Sequence, residues 1–232
     1  MGARPRAARL PGAPPRALRI ADLTDSIAAP CADPVLERPL GRGLRSRLAF
    51  RLLRLFGWRV VLAQPVPRKC VIVFYPHTSN WDFPAGLLAK WTTGIDFRWI
   101  GKHTLFETPL GRRFARWGGI PVDRGAAAGF VDQVAAMFAT HDDFALVITP
   151  EGTRRRTEHW KSGFYRLALA ARVPVGLAFI DRARRRVGIG AWLDLGGDAA
   201  VDLAAIRAFY ADKEAWNPRQ AGPIRFRAGP PG

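Results

Sequence analysis

Two short polar clusters hold the residues of this chain that are best suited to chemistry, and each follows an apolar run. The first cluster, residues 77–82, contains His77 and Asp82 and follows the apolar residues 70–75. The second, residues 150–154, ends at Arg154 and follows the apolar residues 144–149. Apolar runs of this length are typical of buried strands, and α/β folds place their chemistry where such strands end. The two clusters are therefore candidates for one site.

Their side chains match the needs of a reaction at a hydroxyl group. A neutral imidazole such as that of His77 can remove a proton from an attacking hydroxyl, and Asp82 can orient the imidazole if residues 78–82 begin a helical turn. Arg154 follows a Glu-Gly turn, and its planar guanidinium matches a phosphate. This pattern indicates a base that activates a hydroxyl on a phosphate-bearing molecule. The alternative is that His77 only caps a helix and Asp82 is a surface charge.

Four blocks in a fixed order resemble a known family. His-x4-Asp at 77–82, followed by Glu-Gly-Thr-Arg at 151–154, resembles the glycerolipid acyltransferases, and in particular the 1-acyl-sn-glycerol-3-phosphate acyltransferases. Residues 118–124 are similar to the middle motif of that family, and residues 173–175 to its last motif. The resemblance covers roughly residues 44–195. Thr149 stands where the family usually has a bulky apolar residue, which leaves another lysolipid, or an unusual head group, open as the acceptor.

The resemblance implies transfer of a fatty acyl group to a lysophospholipid hydroxyl, with 1-acylglycerol-3-phosphate as the expected acceptor and phosphatidic acid as the product. The donor would be a co-substrate, acyl-CoA or acyl carrier protein, and we expect no cofactor and no metal. The catalytic residues it implies are His77 and Asp82. Those that bind the acceptor phosphate would be Arg124, Glu151, Gly152, Thr153 and Arg154, with Glu151 organising the turn. Further candidates are Lys102, which is equally consistent with an ordinary exposed lysine, and Lys161, which opens a helix whose N-terminus suits an anion.

Composition indicates a folded domain with an anionic partner. The chain has 232 residues, 48% of them hydrophobic, and a net charge of +17. That charge suits anionic lipid, CoA phosphates and an acidic carrier, and it leaves a basic nucleic-acid-binding protein as the alternative of another class. No helix-turn-helix, zinc-finger or RNA-recognition signature supports that alternative.

Residues 43–62 have the pattern of a basic amphipathic helix. Five apolar residues share one helical face and three arginines share another; these are Leu44, Leu48, Leu52, Leu55 and Phe56, and Arg47, Arg51 and Arg54. Such a helix lies in a membrane interface, or it packs on the core of its own domain. No segment approaches the ~20 apolar residues that cross a bilayer. We therefore expect a peripheral protein on the cytoplasmic face of the cell membrane.

Alternating strands and helices predict a single layered α/β domain, with a largely parallel sheet flanked by helices and preceded by the basic amphipathic helix. The predicted strands are 70–75, 97–100, 144–149, 174–180 and 187–193, and the predicted helices are 83–92, 104–117, 127–140, 162–172 and 202–215. Residues 1–40 are expected to be a disordered tail or the result of a misassigned start, 41–220 the acyltransferase domain, and 221–232 a loose C-terminal tail.

Overall fold

One mixed sheet with helices on both faces organises the part of the chain that the computed structural model describes, residues 34–122 and 130–227. Its strands are β1 (Arg59–Leu62), β2 (Lys69–Phe74), β3 (Phe97–Lys102), β4 (Gly119–Val122), β5 (Phe144–Ile148), β6 (Val175–Asp181) and β7 (Arg186–Leu193). The helices are α1 (Leu44–Leu55), α2 (Asp82–Thr93), α3 (His103–Phe106), α4 (Gly111–Arg116), α5 (Phe130–Thr140), α6 (Gly163–Ala171) and α7 (Ala199–Tyr210), followed by a 3-10 turn at Pro218–Gln220.

The strand order is β1-β7-β6-β2-β5-β3-β4, and every neighbouring pair is parallel except β6 with β7. The parallel strands are joined through helices because a parallel pair needs a crossover rather than a tight turn. The predicted fold class, a largely parallel α/β sheet with flanking helices and an N-terminal helix, is confirmed.

A separate apolar core lies on each face of the sheet. In β2, Val71 and Val73 point into the core beneath α5, α6 and α7, whereas Cys70 and Ile72 point into the core beneath α1 and α2. All four side chains are buried. This two-sided burial explains why β2 is a continuous apolar run rather than an alternating one.

The central strands β2 and β5 are neighbours whose connections leave in opposite directions. From β2 the chain passes through α2 to β3, and from β5 it passes through α6 to β6, on the other side of β2. The two connecting helices accordingly contribute to different cores, α2 through Ala89 and α6 through Phe164. Such a divergence opens a crevice at the carboxyl ends of the strands, where α/β proteins bind their ligands. Both polar clusters begin there.

Two predicted helices differ from the structure, and the strands β1 and β4 were not predicted. The helix predicted over 43–62 ends at Leu55, because Gly57 turns the chain at a φ of 75°, and the segment then enters β1. The helix predicted over 104–117 is two short helices, α3 and α4, and Pro109 between them cannot continue a helix. Strand β4 was not anticipated; it adds to the edge of the sheet beside β3.

The chain beyond residue 220 was predicted to be a loose tail, but residues 221–227 lie against the domain. Ile224 is buried in the core, and the backbone N–H of Gly222 donates to Glu151. A segment rich in Gly and Pro thus keeps tertiary contacts that its composition does not reveal. Of the tail predicted over 1–40, residues 1–33 lie outside the described residues. Residues 34–40 instead pack against the domain: Leu36 is buried, and its backbone N–H donates to the Val60 carbonyl at 2.8 Å.

Helix α1 packs through a small and narrow face. Ser46, Ala49 and Leu53 are buried, and the Ser46 hydroxyl lies 3.4 Å from the Thr92 carbonyl of α2. The opposite apolar face is exposed, with Leu44 at 69% and Leu55 at 79%. The helix therefore packs on the domain, but not through the leucines that made it amphipathic. Within residues 34–122 and 130–227, no helix is long and apolar enough to cross a membrane.

Candidate active site

His77 and Asp82 face each other at the end of β2. His77 Nδ1 lies 3.1 Å from Asp82 Oδ2, at an angle that falls short of an aligned hydrogen bond. The Asp82 side chain is fully buried, whereas 15% of the His77 side chain is exposed. With the carboxylate on the Nδ1 side, Nε2 is the nitrogen left for a substrate. The pair therefore has the arrangement of a base and its orienting carboxylate.

Asp82 is fixed by the loop that it closes. Its Oδ2 accepts the backbone N–H groups of Thr78 and Ser79, each at 2.8 Å, and Asp82 is the first residue of α2. A carboxylate at a helix N-terminus also meets the positive end of the helix dipole. These contacts hold residues 77–82 as a tight turn, in which the four-residue spacing brings the carboxylate back to the imidazole.

Glu151 joins the second cluster to the first. Its Oε2 accepts the backbone N–H of His77 at 3.0 Å, and its Oε1 accepts that of Gly222 at 3.2 Å. The residue is 2% exposed, and burial raises the pKa of its carboxyl to about 7; the two N–H donors oppose this rise, and Asp82 adds to it. Glu151 was expected to organise its own turn, and it also positions the backbone of His77.

The turn that follows Glu151 is shaped by Gly152. Its φ is 66°, a conformation that favours glycine, and a Cβ there would lie 3.2 Å from the ammonium nitrogen of Lys161. Lys161 also donates its backbone N–H to the Pro150 carbonyl at 2.9 Å. Thr153 accepts the N–H of Arg155 at 3.2 Å, so its hydroxyl supports the turn. Lys161 thus places a cation directly beside the Glu-Gly-Thr-Arg segment.

Arg154 is exposed and, among the described residues, its guanidinium has no partner. Arg156, two residues on, is engaged: it lies 3.3 Å from Glu158 and donates to the Ala221 carbonyl at 3.0 Å. The run of three arginines therefore contains one side chain committed to the fold, that of Arg156, and two exposed side chains that are available to an anion, those of Arg154 and Arg155.

The remaining predicted site residues lie elsewhere or outside the described chain. Lys102 is exposed at the end of β3, at the same edge of the sheet, and has no contact with His77 or Asp82. Its register partner is Val122 of β4, and Arg124 lies outside the described residues. Within residues 34–122 and 130–227, no three His, Cys, Asp or Glu side chains are grouped to hold a metal ion.

Sequence reasoning missed one set of residues at this site. Asn217, Gln220 and Gly222 lie near the C-terminus, and they contact the loops at Thr78 and Glu151. No motif marked them, since each acts through an amide or the backbone across a long stretch of sequence.

Comparisons with known proteins identify the family of this chain and relatives of its fold. The family model described as Acyltransferase matches residues 58–176, just over half of the chain, and that range contains both polar clusters. The crystal structure of the 1-acyl-sn-glycerophosphate (LPA) acyltransferase PlsC from Thermotoga maritima has a similar fold, with a TM-score of 0.52 and 18% sequence identity over 75% of this chain and 80% of that chain. No curated protein matches the chain. On the extent of the family match, this chain belongs to the acyltransferase family.

Proposed function

We propose that this protein transfers a fatty acyl group from an acyl thioester to the hydroxyl of a lysophospholipid, with 1-acylglycerol-3-phosphate as the acceptor and phosphatidic acid as the product. One observation carries the proposal: the His77–Asp82 pair lies at a sheet crevice beside a turn that offers the free guanidinium of Arg154. This combination supplies a base for a hydroxyl and a cation for a phosphate on the same molecule.

In the proposed reaction, His77 Nε2 takes the proton of the acceptor hydroxyl as its oxygen attacks the thioester carbonyl carbon. The tetrahedral intermediate then expels the thiolate, which receives the proton from the imidazolium. Asp82 stabilises the imidazolium and keeps the proton of the neutral imidazole on Nδ1. The new ester is formed without a protein nucleophile, because the substrate hydroxyl takes that part.

The acceptor phosphate is assigned to the second cluster. Arg154 offers a planar fork of donors, and the ammonium of Lys161 lies beside Gly152 at the base of the same turn. Glu151 is excluded from direct phosphate contact, because its carboxyl already accepts two backbone N–H groups and is buried. Arg124 remains a candidate from sequence alone.

We also propose that α1 holds the protein on an anionic membrane surface. The acceptor lipid resides in the bilayer, so the enzyme must reach the interface. Five apolar residues of this segment are exposed, and the three arginines that flank them are exposed as well; they are Leu44, Leu48, Leu52, Leu55 and Phe56, and Arg47, Arg51 and Arg54. Exposed apolar and basic side chains on one helix suit the acyl boundary and the lipid phosphates.

The test offers the purified protein two matched acceptors with each donor, acyl-CoA and acyl carrier protein, and identifies the products by mass spectrometry. We expect acylation of 1-acylglycerol-3-phosphate and little of the monoacylglycerol, which has the hydroxyl but no phosphate. Equal acylation of both would contradict the role of the phosphate. Acylation of neither would contradict the proposed acceptor.

A further inference from the structure

Residues 216–222 form a segment that crosses both loops of the candidate site, here called the C-terminal strap. It follows α7 and includes the 3-10 turn at Pro218–Gln220. The strap lies beyond residue 176, where the family match ends. Its contacts with the site therefore come from outside the matched range.

Asn217 holds the residue that follows His77. Its side-chain Nδ2 donates to the Thr78 carbonyl at 2.9 Å, and its backbone N–H donates to the Thr78 hydroxyl at 3.2 Å. Thr78 is 2% exposed, and its own N–H donates to Asp82 at 2.8 Å. One side chain thus fixes the backbone between the imidazole and its carboxylate. Because the Asn217 amide is neutral, it adds no charge beside them.

Two more strap residues reach the second loop. With its amide nitrogen directed at both acceptors, Gln220 lies 3.0 Å from the Thr78 carbonyl and 2.7 Å from the Arg154 carbonyl. Gly222 donates its N–H to Glu151, whose other oxygen accepts the N–H of His77. The strap therefore ties the His77 loop to the Arg154 loop.

The strap is itself anchored on both sides of Asn217. Trp216 packs against Trp58 with ring centroids 5.6 Å apart, and the Arg182 guanidinium lies over the Trp216 ring. At the other end, the Tyr75 hydroxyl donates to the Gly222 carbonyl at 2.9 Å. Because the strap is anchored at both ends, its hydrogen bonds can restrain the position of Thr78.

We propose that Asn217, supported by Gln220, is a positioning residue for acyl transfer: it fixes Thr78 so that Asp82 stays on the Nδ1 side of His77. This inference rests on the proposed function for its effect on turnover. The competing explanation is that these bonds only close the C-terminal end of the fold. The two explanations predict different changes in kcat, in KM and in the hydrogen exchange of the backbone amides.

The experiment compares Asn217→Ala and Asn217→Asp with the wild type and with Arg219→Ala. Aspartate keeps the shape of asparagine but cannot donate to the Thr78 carbonyl. Arg219 is exposed in the same 3-10 turn and serves as the matched control. We expect both Asn217 variants to lose about 10- to 100-fold in kcat, with the KM values of donor and acceptor within about twofold of the wild type. Arg219→Ala should keep wild-type kcat.

A second readout does not depend on activity. Hydrogen exchange of the Thr78 and Ser79 amides, which donate to Asp82, should accelerate in the Asn217 variants, while β2 keeps its protection. Gln220→Ala, at an exposed position, removes only a side-chain donor; it carries the test if the Asn217 variants do not fold. If the wild type acylates no acceptor, the proposed function fails, and the exchange result still decides the role of the strap.

Three results would overturn the inference. These are unchanged exchange at Thr78 and Ser79, accelerated exchange across β2 as well, and a raised KM with kcat preserved. The first would mean that the strap does not hold the loop. The second would indicate closure of the fold alone, and the third would place Asn217 in substrate binding.

Discussion

Among the single residues, His77 and Asp82 have different roles: His77 is the proposed base, whereas Asp82 both orients the imidazole and stabilises its own loop. His77→Ala removes the proposed base but keeps the backbone N–H that Glu151 accepts, so the fold should be retained. We expect a loss of about 10²–10⁴ in kcat. Steady-state kinetics with a thermal melt for each variant measures both effects. Near wild-type turnover in a folded His77→Ala protein would exclude this residue as the base.

Asp82→Asn should lose both activity and stability. The amide removes the charge that stabilises the imidazolium, and it can turn a donor toward the N–H groups of Thr78 and Ser79. Leaving a buried donor unsatisfied costs about 1–3 kcal/mol. Denaturant unfolding should register this loss in Asp82→Asn and not in His77→Ala. Equal stability of the two variants would contradict the structural half of the Asp82 assignment.

Arg154 and Arg155 provide a test variant and a matched control for binding of the acceptor phosphate. Arg154→Ala should raise the acceptor KM by the loss of a charge-assisted contact, about 1.5–3 kcal/mol, and Arg154→Lys should recover only part because it lacks the planar fork. Arg155→Ala removes an equal charge one residue on and should leave the acceptor KM near the wild-type value. An equal rise in both variants would indicate general electrostatic attraction instead of a specific contact.

At the scale of elements, α1 allows the membrane proposal to be tested without disturbing the core. Arg47, Arg51 and Arg54 are exposed, so replacing all three by Gln should spare the melting temperature. Each basic residue near an anionic surface contributes about 1 kcal/mol, which predicts binding to anionic vesicles weakened by up to about 100-fold. Liposome flotation at two salt concentrations measures this.

The control for α1 carries the same charge change elsewhere. Arg166, Arg172 and Arg219 are exposed residues outside α1, and their replacement by Gln should reduce vesicle binding much less. If the two triple variants lose binding equally, the net charge of +17 attracts the protein to the vesicles and α1 has no special part.

Helices and strands could be predicted from the sequence where the local pattern of apolar residues matches the faces that are buried in the fold. The run at 70–75 predicted β2 because both faces of that strand are buried, so almost every residue is apolar. Strand β1 was missed because its residues continue the apolar pattern of α1, and its pairing with β7 joins Val60 to Val187, far away in the sequence. Long-range pairing of this kind leaves no local signal.

The contacts of the candidate site likewise divide into those that a local sequence pattern predicts and those that depend on distant parts of the chain. The contact between His77 and Asp82 depends on a four-residue spacing and could be expected from the sequence alone. The contact between Glu151 and His77 follows once β2 and β5 are known to be neighbours. The bonds from Asn217 to Thr78 join residues 139 positions apart, with no motif at either end, and only the folded chain reveals them.

At the scale of the whole molecule, Glu151 makes stability depend on pH. Burial raises the pKa of its carboxyl from an ordinary value of 4.5 to about 7, so between these pH values the folded protein binds a proton that the unfolded chain has released. The resulting stabilisation is complete below about pH 4.5 and is lost as the pH rises through 7. The loss between pH 5 and 8 should be about 2–3 kcal/mol.

Glu151→Gln tests this dependence, because an amide does not titrate. Its free energy of unfolding should fall less steeply between pH 5 and 8 than that of the wild type, even if the variant is less stable overall. Denaturant melts across this pH range give the two slopes. Parallel slopes would show that the titration of Glu151 does not control the pH dependence of stability.

A labelling experiment decides whether His77 catalyses acyl transfer to a phosphate-bearing lysolipid. Purified wild type and His77→Ala are incubated with 1-acylglycerol-3-phosphate and an isotopically labelled acyl thioester, as the CoA and the carrier-protein derivative in parallel. Mass spectrometry then follows the label. We expect labelled phosphatidic acid with at least one donor from the wild type and almost none from the variant. Equal labelling by both proteins, or no labelled lipid from the wild type with either donor, would contradict it.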